Sequence, residues 1–258
     1  MFRPKRGHGR VHLHYGMLYG DVVILDECGS TNVEAASARY RHGDSVIAVR
    51  QTAGRGQRGH NWSSAPGENL TFSMVLKPEF LPVARQFLLS EAVALGVVDT
   101  LAFYGIDARI KWTNDIYVGD RKICGMLIEN QLNGDRLARS VAGIGLNINQ
   151  LEFPEWVPNP CSMGSVTGCR YRVMDVFSLL YNKIAIRYGM LLESGDAASI
   201  EQDYNRFLYR VGQQARFFIP NEGEVTGTIM RVAADGRLCV EIDGAQREFL
   251  FGQIEFFI

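Results

Sequence analysis

What the sequence lacks already excludes several classes of protein. The 258 residues carry a formal net charge of only −1 at neutral pH, so no overall field attracts nucleic acid, and anions must be bound by local clusters. No uninterrupted apolar run is long enough to span a bilayer, since the most apolar predicted helix, residues 82–104, contains Arg85, Glu91 and Asp99. We therefore expect no specific DNA binding and no membrane segment.

Cysteine is also scarce, and its pattern argues against a disulfide framework. The five cysteines form no C-x-x-C pair, and an odd number at wide spacing fits neither paired disulfides nor a zinc site. Reduced thiols are typical of the cytoplasm, which is where we expect the protein to act.

The chain divides into three predicted parts. Residues 1–20 form a basic tail, whose first sixteen residues contain four lysines or arginines, three histidines and no acid; we expect a disordered or accessory segment, with Met17 as an alternative start. Residues 21–210 are hydrophobic enough for one substantial core. Residues 211–258 contain short apolar runs between Gly and Asp turns, which predicts a small β-barrel packed on the larger domain.

The order of the predicted elements indicates the fold class. A capping box at residues 31–34 opens a helix that ends at Gly43, and Pro82 opens a long amphipathic helix that ends at Gly105. The other periodic segments predict strands at residues 21–26, 45–50, 69–76, 108–112, 122–131 and 137–149 and helices at residues 173–192 and 200–209. Strands and helices that do not alternate strictly favour an α+β domain with a mixed sheet.

Residues 54–59 read G-R-G-Q-R-G and match the dinucleotide-binding pattern G-x-G-x-x-G. That pattern needs a helix directly after it, whereas here Pro66 intervenes and the next element is a strand. Two interpretations remain. The segment is either a loop that binds phosphate or carboxylate through Arg55, Arg58 and His60, or a mobile basic surface loop.

Further segments carry chemically useful side chains, and each also has an ordinary structural explanation. Residues 30–32, S-T-N, supply either a helix N-cap or a site for a neutral hydrogen-bonding group. Residues 111–115, K-W-T-N-D, form either an Asx-turn or a binding cluster. Lys122 and Gly125 belong to an edge strand or face a ligand. Residues 143–149, G-I-G-L-N-I-N, form a bulged or twisted core strand in the plainer interpretation.

Together and in this order, these segments resemble the biotin protein ligase family, which pairs an α+β catalytic domain with a small SH3-like C-terminal barrel. The resemblance covers roughly residues 26–258 and is carried by Trp62 and five motifs: S-T-N at 30–32, Q-T-A-G-R-G-Q-R-G at 51–59, K-W-T-N-D at 111–115, R-K-I-C-G-M-L-I-E at 121–129 and G-I-G-L-N at 143–147. It implies that biotin attacks ATP to give biotinyl-5′-AMP and pyrophosphate. Biotin then passes to a lysine of a biotin carboxyl carrier protein.

The resemblance also implies a role for individual residues. Biotin would be bound by Ser30, Thr31, Asn32, Gln51, Arg55, Gly56, Gln57, Lys122 and Gly125. ATP would be bound by Arg58, Trp62, Lys111, Asn114, Asp115 and Asn147, with Asp115 also a ligand of Mg²⁺. Lys122, Arg55 and Arg58 would be the catalytic residues. Neutral hydroxyls and amides suit the ureido ring of biotin, because a charge there would be desolvated without compensation.

The cations also have a reason that is independent of the family. A carboxylate that attacks a triphosphate brings two anions together, and at about 4 Å and an effective dielectric constant near 20 their repulsion is roughly 4 kcal/mol. That is close to three decades in rate, at about 1.4 kcal/mol per decade. We therefore expect Arg55, Lys122 and a metal ion to be the main electrostatic catalysts. No general base is needed, because the carboxylate is already ionised.

Two positions depart from the family pattern. Gln57 stands where the family's loop commonly has an arginine that helps to retain the adenylate, so we expect a leakier intermediate. Thr113 stands where the family commonly has a proline that stiffens the turn. Only about 25 residues precede the match, too few for the helix-turn-helix unit of some members. We expect the form of the family that lacks an N-terminal DNA-binding domain.

Alternative functions remain open from the sequence. A lipoate ligase or octanoyl transferase would have a related fold, although the polar residues 30–32 and the intact G-R-G-x-R-G loop favour biotin. A non-catalytic biotin or nucleotide sensor is expected to lose Arg55 or Lys122, and both are present. A homodimer is possible, and the sequence does not reveal which carboxylase supplies the carrier.

Overall fold

A computed structural model describes residues 9–15, 18–193 and 197–258, without the side chains of residues 9–15, Arg58 and Glu193. Met17 and residues 1–8 of the basic tail lie outside these ranges. The main sheet consists of β1 (Gly9–Tyr15), β2 (Leu18–Cys28), β3 (Ser45–Gln51), β4 (Leu70–Leu76), β5 (Arg109–Lys111), β6 (Asp115–Val118), β7 (Arg121–Asn133) and β8 (Arg136–Leu146). Its strand order is β1-β2-β3-β4-β8-β7-β6-β5. Neighbouring strands are antiparallel, except that β2 and β3 run parallel, so the sheet is mixed as predicted.

Helices cover the sheet on both faces. They are α1 (Thr31–Ala35), α2 (Phe87–Phe103), α3 (Met163–Thr167), α4 (Val173–Glu193) and α5 (Ala197–Arg206). All residues of the central strand β4 are buried, and side chains alternate between its faces. Phe72 packs edge to face on Phe177 of α4, with ring centroids 5.2 Å apart, whereas the neighbouring Ser73 points to α1. One face of β4 is therefore core, and the other face supports a site.

The long apolar helix corrects one expectation. With the turn before it, the segment Val83–Phe103 is long and apolar enough to cross a membrane, contrary to the expectation that no segment is. However, 67% of its most apolar stretch is buried inside the protein. A Cβ atom at Gly96 would lie 2.6 Å from the Ile184 side chain of α4, so the two helices are in close contact. Such burial is typical of the core helix of a globular domain.

A second, antiparallel sheet follows α5. It consists of β9 (Gln214–Ile219), β10 (Gly223–Val232), β11 (Leu238–Ile242), β12 (Ala245–Phe249) and β13 (Glu255–Phe256), in the order β12-β11-β10-β9-β13. The sheet is attached to the main domain by hydrogen bonds: Val232 N–H donates to Asn205 Oδ1 at 2.6 Å, and Trp112 Nε1 donates to the Gly236 carbonyl at 2.9 Å. The predicted α+β fold with a second β unit is confirmed.

Local predictions failed where tertiary contacts override the sequence pattern. The helix expected to run to Gly43 ends at Ala35, and the expected capping box is absent: Ser30 occupies the N-cap without a side-chain bond. The Thr31 hydroxyl instead donates to Gln51 Oε1. Residues 9–15 of the expected tail form β1, which pairs with β2. The short elements β6 and α3 were not predicted.

Candidate active site

Residues from all five motifs line one cavity of about 620 Å³. They come from the start of α1, the end of β3, the glycine-rich loop, the turn between β5 and β6, and strands β7 and β8. The predicted site residues found in its wall are Ser30, Thr31, Asn32, Gln51, Arg55, Gly56, Gln57, Trp62, Lys111, Asn114, Asp115, Lys122, Gly125 and Asn147. The structure thus gathers every predicted site residue whose side chain it describes.

One end of the cavity, which we call the polar end, is formed by Ser30, Thr31, Asn32 and Gln51. Both the backbone N–H and the hydroxyl of Thr31 donate to Gln51 Oε1, at 2.8 and 3.2 Å. Ser73 Oγ lies 2.8 Å from Thr31 Oγ1 and 2.6 Å from Asn32 Oδ1. No formal charge belongs to these five side chains, so this end offers neutral donors and acceptors in fixed positions.

The Asn32 side chain is held from both sides. Its Nδ2 donates to the Leu127 carbonyl at 3.1 Å and to Glu129 Oε2 at 2.8 Å. A Cβ atom at Gly143 would lie 2.0 Å from Asn32 Oδ1, so only glycine leaves room for the amide. Neither Ser73 nor Glu129 has a predicted role. Two features of the sequence could have indicated them: Ser73 is a hydroxyl residue within the mostly apolar β4, and Glu129 is the carboxylate at the end of a motif.

The glycines of β7 and β8 make room for Trp62. A Cβ atom would lie 2.2 Å from the indole at Gly145 and 2.9 Å from it at Gly125, and these two glycines are cross-strand partners. Residues 143–146 belong to β8, whose pairing with β4 and β7 is regular there, so of the two plainer interpretations a bulge is excluded at these glycines and a twisted core strand is not. Trp62 Nε1 is buried and has no hydrogen-bond partner among the described residues.

Two cations of the cavity wall, Arg55 and Lys122, form what we call its cationic end. Lys122 Nζ lies 2.7 Å from Asp115 Oδ1 and 5.6 Å from the centroid of the Trp62 ring. Arg55 Nη2 lies 3.3 Å from Glu129 Oε1, and both side chains of this pair are about half exposed, at 51% and 41%. Each cation therefore has a carboxylate partner, and the second pair is open to solvent.

The glycine-rich loop is folded back on itself. The Gly56 N–H donates to the His60 carbonyl at 2.7 Å, and the Trp62 N–H donates to the Gly54 carbonyl at 2.9 Å. A Cβ atom at Gly54 would lie 2.5 Å from the Trp62 carbonyl oxygen. These bonds bring Arg55 to the cavity and favour a binding loop over a mobile surface loop.

The K-W-T-N-D turn is attached to its neighbours by side chains. Asn114 Nδ2 donates to the Met126 carbonyl at 2.6 Å, and the Met126 N–H returns a bond to the Asn114 carbonyl at 2.9 Å. The Thr113 hydroxyl lies 3.3 Å from Gln57 Oε1 and 3.2 Å from Asn114 Oδ1, so it can donate to either. The two residues that depart from the family pattern are thus in contact with each other.

Lys111 lines the cavity and also lies beside two aromatic rings. Its Nζ lies 4.8 Å from the centroid of the Phe256 ring and 5.4 Å from that of Tyr117. Burial is the main cause that lowers the pKa of Lys111, while the nearby Asp115 raises it. The ammonium group therefore lies next to an aromatic ring of the second sheet, and its binding of ATP stays a prediction.

Asn147 and the residues around it complete the wall. Asn147 Nδ2 donates to the Cys161 carbonyl at 3.0 Å, whereas its Oδ1 is buried without a hydrogen-bond partner among the described residues. Phe153, Trp156 and Phe251 also line the cavity. Phe251 follows β12, so the second sheet contributes to the site, which the sequence pattern did not indicate.

A metal ion would find few ligands in this cavity. Asp115 is the single carboxylate among its described lining residues, and no group of three His, Cys, Asp or Glu side chains suited to a metal occurs in the part of the chain that the structure describes. Mg²⁺ typically takes one or two carboxylates together with phosphate oxygens and water. Asp115 thus fits an ion that enters with a nucleotide.

The main domain is similar to a known protein family. Residues 26–147 match the model of the biotin/lipoate A/B protein ligase family. This match lies in the main domain and agrees with the resemblance inferred from the motifs.

Individual relatives agree with this assignment. The bifunctional ligase/repressor BirA of Bacillus spizizenii is 35% identical over 142 residues, which are 54% of this chain but only 43% of that protein. The biotin--[acetyl-CoA-carboxylase] ligase of Mycobacterium tuberculosis is 27% identical over 86% of this chain and 83% of its own length. A solved structure of the biotin protein ligase from Aquifex aeolicus, in complex with biotin and ATP, superposes with a TM-score of 0.77 at 25% identity. It covers 92% of this chain and 98% of that one.

Proposed function

We propose that the protein is an ATP-dependent biotin protein ligase, which forms biotinyl-5′-AMP and transfers biotin to a lysine of a carrier protein. The observation that carries this proposal is that one cavity joins a neutral polar end to a cationic end. Biotin has the same two halves, because its ureido ring offers one carbonyl acceptor and two N–H donors while its side chain ends in a carboxylate. Its solved relative from Aquifex aeolicus was obtained with biotin and ATP.

The first step forms the mixed anhydride. A carboxylate oxygen of biotin attacks the α-phosphorus of ATP, the bond to the β-phosphate oxygen breaks, and pyrophosphate leaves. Arg55 and Lys122 would lower the repulsion between the two anions. Arg58, which belongs to the same loop as Arg55, would be a third cation. Arg55 would exchange its present partner, Glu129, for ligand oxygens, which is feasible because their ion pair is about half exposed and therefore weak. Lys122 would turn from Asp115, its less exposed partner, to ligand oxygens.

Mg²⁺ would be held by Asp115 and would neutralise phosphate charge when it is bound. The nucleotide base would lie near Trp62 and Asn147. Trp62 Nε1 is an unpaired buried donor, and Asn147 Oδ1 an unpaired buried acceptor, among the described residues. A buried polar atom without a partner is unfavourable. Adenine could satisfy one of each kind, because its ring nitrogens accept hydrogen bonds and its exocyclic amino group donates them.

The second step transfers the acyl group. The amine of the acceptor lysine attacks the acyl carbon of the anhydride, the bond to the phosphate oxygen breaks, and AMP leaves. Lys122 would stabilise the oxyanion that develops on the acyl carbonyl. The acceptor would be a biotin carboxyl carrier protein, in line with the acetyl-CoA-carboxylase named for the Mycobacterium tuberculosis relative.

The decisive experiment compares two acids in ATP–pyrophosphate exchange. The protein is incubated with MgATP, labelled pyrophosphate and either biotin or lipoate, and then with biotin, MgATP and a carrier domain. We expect exchange with biotin and a mass increase of one biotinyl group on one lysine of the carrier. Exchange with lipoate alone would favour a lipoate ligase, and biotin binding without exchange would favour a non-catalytic sensor.

A further inference from the structure

One carboxylate, Glu129 on β7, touches a residue of each end of the cavity. Its Oε2 accepts a hydrogen bond from Asn32 Nδ2 at 2.8 Å, and its Oε1 lies 3.3 Å from Arg55 Nη2. Glu129 is not among the residues that line the cavity. It therefore stands behind the site, where it can act on a ligand only through the two side chains that it contacts.

We propose that Glu129 is a positioning residue that orients Asn32 at the polar end and holds the Arg55 guanidinium at the cationic end. The inference rests on the proposed function and extends it by a residue that binds neither substrate. A carboxylate can perform both tasks at once because its two oxygens each accept separate donors.

At the polar end, the contact decides which way the Asn32 amide faces. An amide can turn over and exchange its oxygen and nitrogen. Here the oxygen lies 2.6 Å from Ser73 Oγ, and the nitrogen has two acceptors, of which Glu129 gives the shorter and charge-assisted bond. The Asn32 orientation presented to a ligand is therefore fixed before the ligand arrives.

At the cationic end, the contact with Glu129 restricts the long side chain of Arg55 only weakly. Arginine loses much rotamer freedom when it is ordered, and the pair with Glu129 imposes part of that loss in the free protein. Because both members are about half exposed, solvent screens their attraction. A ligand carboxylate or phosphate can therefore replace Glu129 as the partner of the guanidinium. The ion pair thus keeps Arg55 in place until a ligand binds.

Two substitutions separate the two contacts. In Glu129→Gln, the side-chain oxygen can still accept from Asn32, but no charge remains for Arg55. In Glu129→Ala, both contacts are lost. Two ligands separate the two ends in the same way, since biotin requires both ends whereas its neutral carboxamide has no carboxylate for Arg55.

The test is calorimetric titration of the wild type, Glu129→Gln and Glu129→Ala with biotin and with biotin carboxamide, without ATP. We expect Glu129→Gln to bind the carboxamide within twofold of the wild type and biotin about fivefold more weakly, which is about 1 kcal/mol. Glu129→Ala should bind the carboxamide about fivefold and biotin more than tenfold more weakly. Glu27→Gln, which removes a carboxylate from the exposed pair with Arg50, should match the wild type.

Three results would overturn the inference. Wild-type affinity of Glu129→Gln for biotin would remove the role toward Arg55, and wild-type affinity of Glu129→Ala for the carboxamide would remove the role toward Asn32. Equal weakening of both ligands in both variants would indicate a merely structural residue. If Glu129→Ala does not fold, the isosteric Glu129→Gln still tests the Arg55 contact. Failure of the wild type to bind either ligand would instead refute the proposed function.

Discussion

The two ends of the cavity are built on opposite principles. At the polar end, Thr31 and Asn32 are each only 4% exposed, and both are hydrogen-bonded to buried neighbours. At the cationic end, Arg55 and Glu129 are about half exposed, and Lys122 has Asp115 as its partner. A neutral ligand group is recognised by the geometry of its hydrogen bonds, and buried bonds keep that geometry fixed. An anion is recognised by charge, and partly exposed cationic side chains can turn towards it. Three predictions test this difference and a fourth concerns a buried carboxyl group outside the cavity; they begin with the largest expected effect.

Removing the lysine of the cationic end should abolish the chemistry and spare the fold. In Lys122→Ala, we expect ATP–pyrophosphate exchange with biotin to fall by about three decades or more, because roughly 4 kcal/mol of repulsion between the reacting anions is no longer compensated. The far-UV circular dichroism spectrum should be unchanged. Arg121→Ala removes a cation from the adjacent, exposed position and should retain full exchange. Near-normal exchange in Lys122→Ala would exclude the proposed role.

A buried polar group outside the cavity shows the effect of a missing partner. Glu91 of α2 is 1% exposed, and its Oε2 has no hydrogen-bond partner among the described residues. Burial, with a smaller contribution from Glu201, raises its pKa from 4.5 to about 8. The folded protein therefore binds a proton more tightly than the unfolded chain, so stability is lost as the pH rises from about 4.5 to 8.

Glu91→Gln should remove this pH dependence. Between pH 5 and pH 8, the free energy of unfolding of the wild type should fall by on the order of 4 kcal/mol relative to that of the variant, as expected for a shift of this size at about 1.36 kcal/mol per pKa unit. Urea denaturation at several pH values measures the difference. Parallel pH profiles for the two proteins would show that Glu91 is not protonated in the folded state.

Breaking the network of the polar end should weaken both stability and biotin binding. Ser73→Ala leaves Asn32 Oδ1 buried without its donor, which destabilises by about 1–3 kcal/mol, and we expect the KM for biotin to rise about tenfold while that for ATP is unchanged. Ser45→Ala is the matched control, because Ser45 is also a buried serine of the same sheet but has no hydrogen-bond partner among the described residues. Equal losses in the two variants would argue against a role for the network.

The sequence predicted the long elements well, because their periodicity is sustained over many residues. The strand expected at residues 69–76 is β4, and the helix expected at residues 173–192 is α4 (Val173–Glu193). The four-residue β6 was missed, because it is too short to show a period. The helix α1 was predicted too long, because the Arg139 side chain donates to the carbonyls of residues 35–37, which a longer helix would use for its own hydrogen bonds.

The site shows the same difference between what a local sequence pattern predicts and what tertiary contacts decide. Motifs supplied the residues that line the cavity, but Ser73 and Glu129 depend on which strands are neighbours. The strand order β4-β8-β7 brings both close to Asn32, although they are 41 and 97 residues away from it in sequence. No local pattern encodes such a pairing. Phe251 reaches the cavity for the same reason, through the docking of the second sheet.

The smallest expected effect concerns Gln57, at the cationic end. Gln57→Arg introduces a further cation into the loop, and a charge-assisted hydrogen bond to the adenylate should reduce the free biotinyl-adenylate released during turnover by about fivefold. Because the loop is partly exposed, the free energy of unfolding should change by less than about 0.5 kcal/mol. Released adenylate is measured by chromatography of the filtered reaction.

A substitution at the contacting residue separates charge from hydrogen bonding. Thr113→Ala removes the hydroxyl that can donate to Gln57 but adds no charge. If the missing cation causes the leak, Thr113→Ala should release as much adenylate as the wild type, and only Gln57→Arg should release less. If Thr113→Ala releases much more, the contact between Gln57 and Thr113 itself retains the intermediate. Recognition at the cationic end would then depend on geometry, as it does at the polar end.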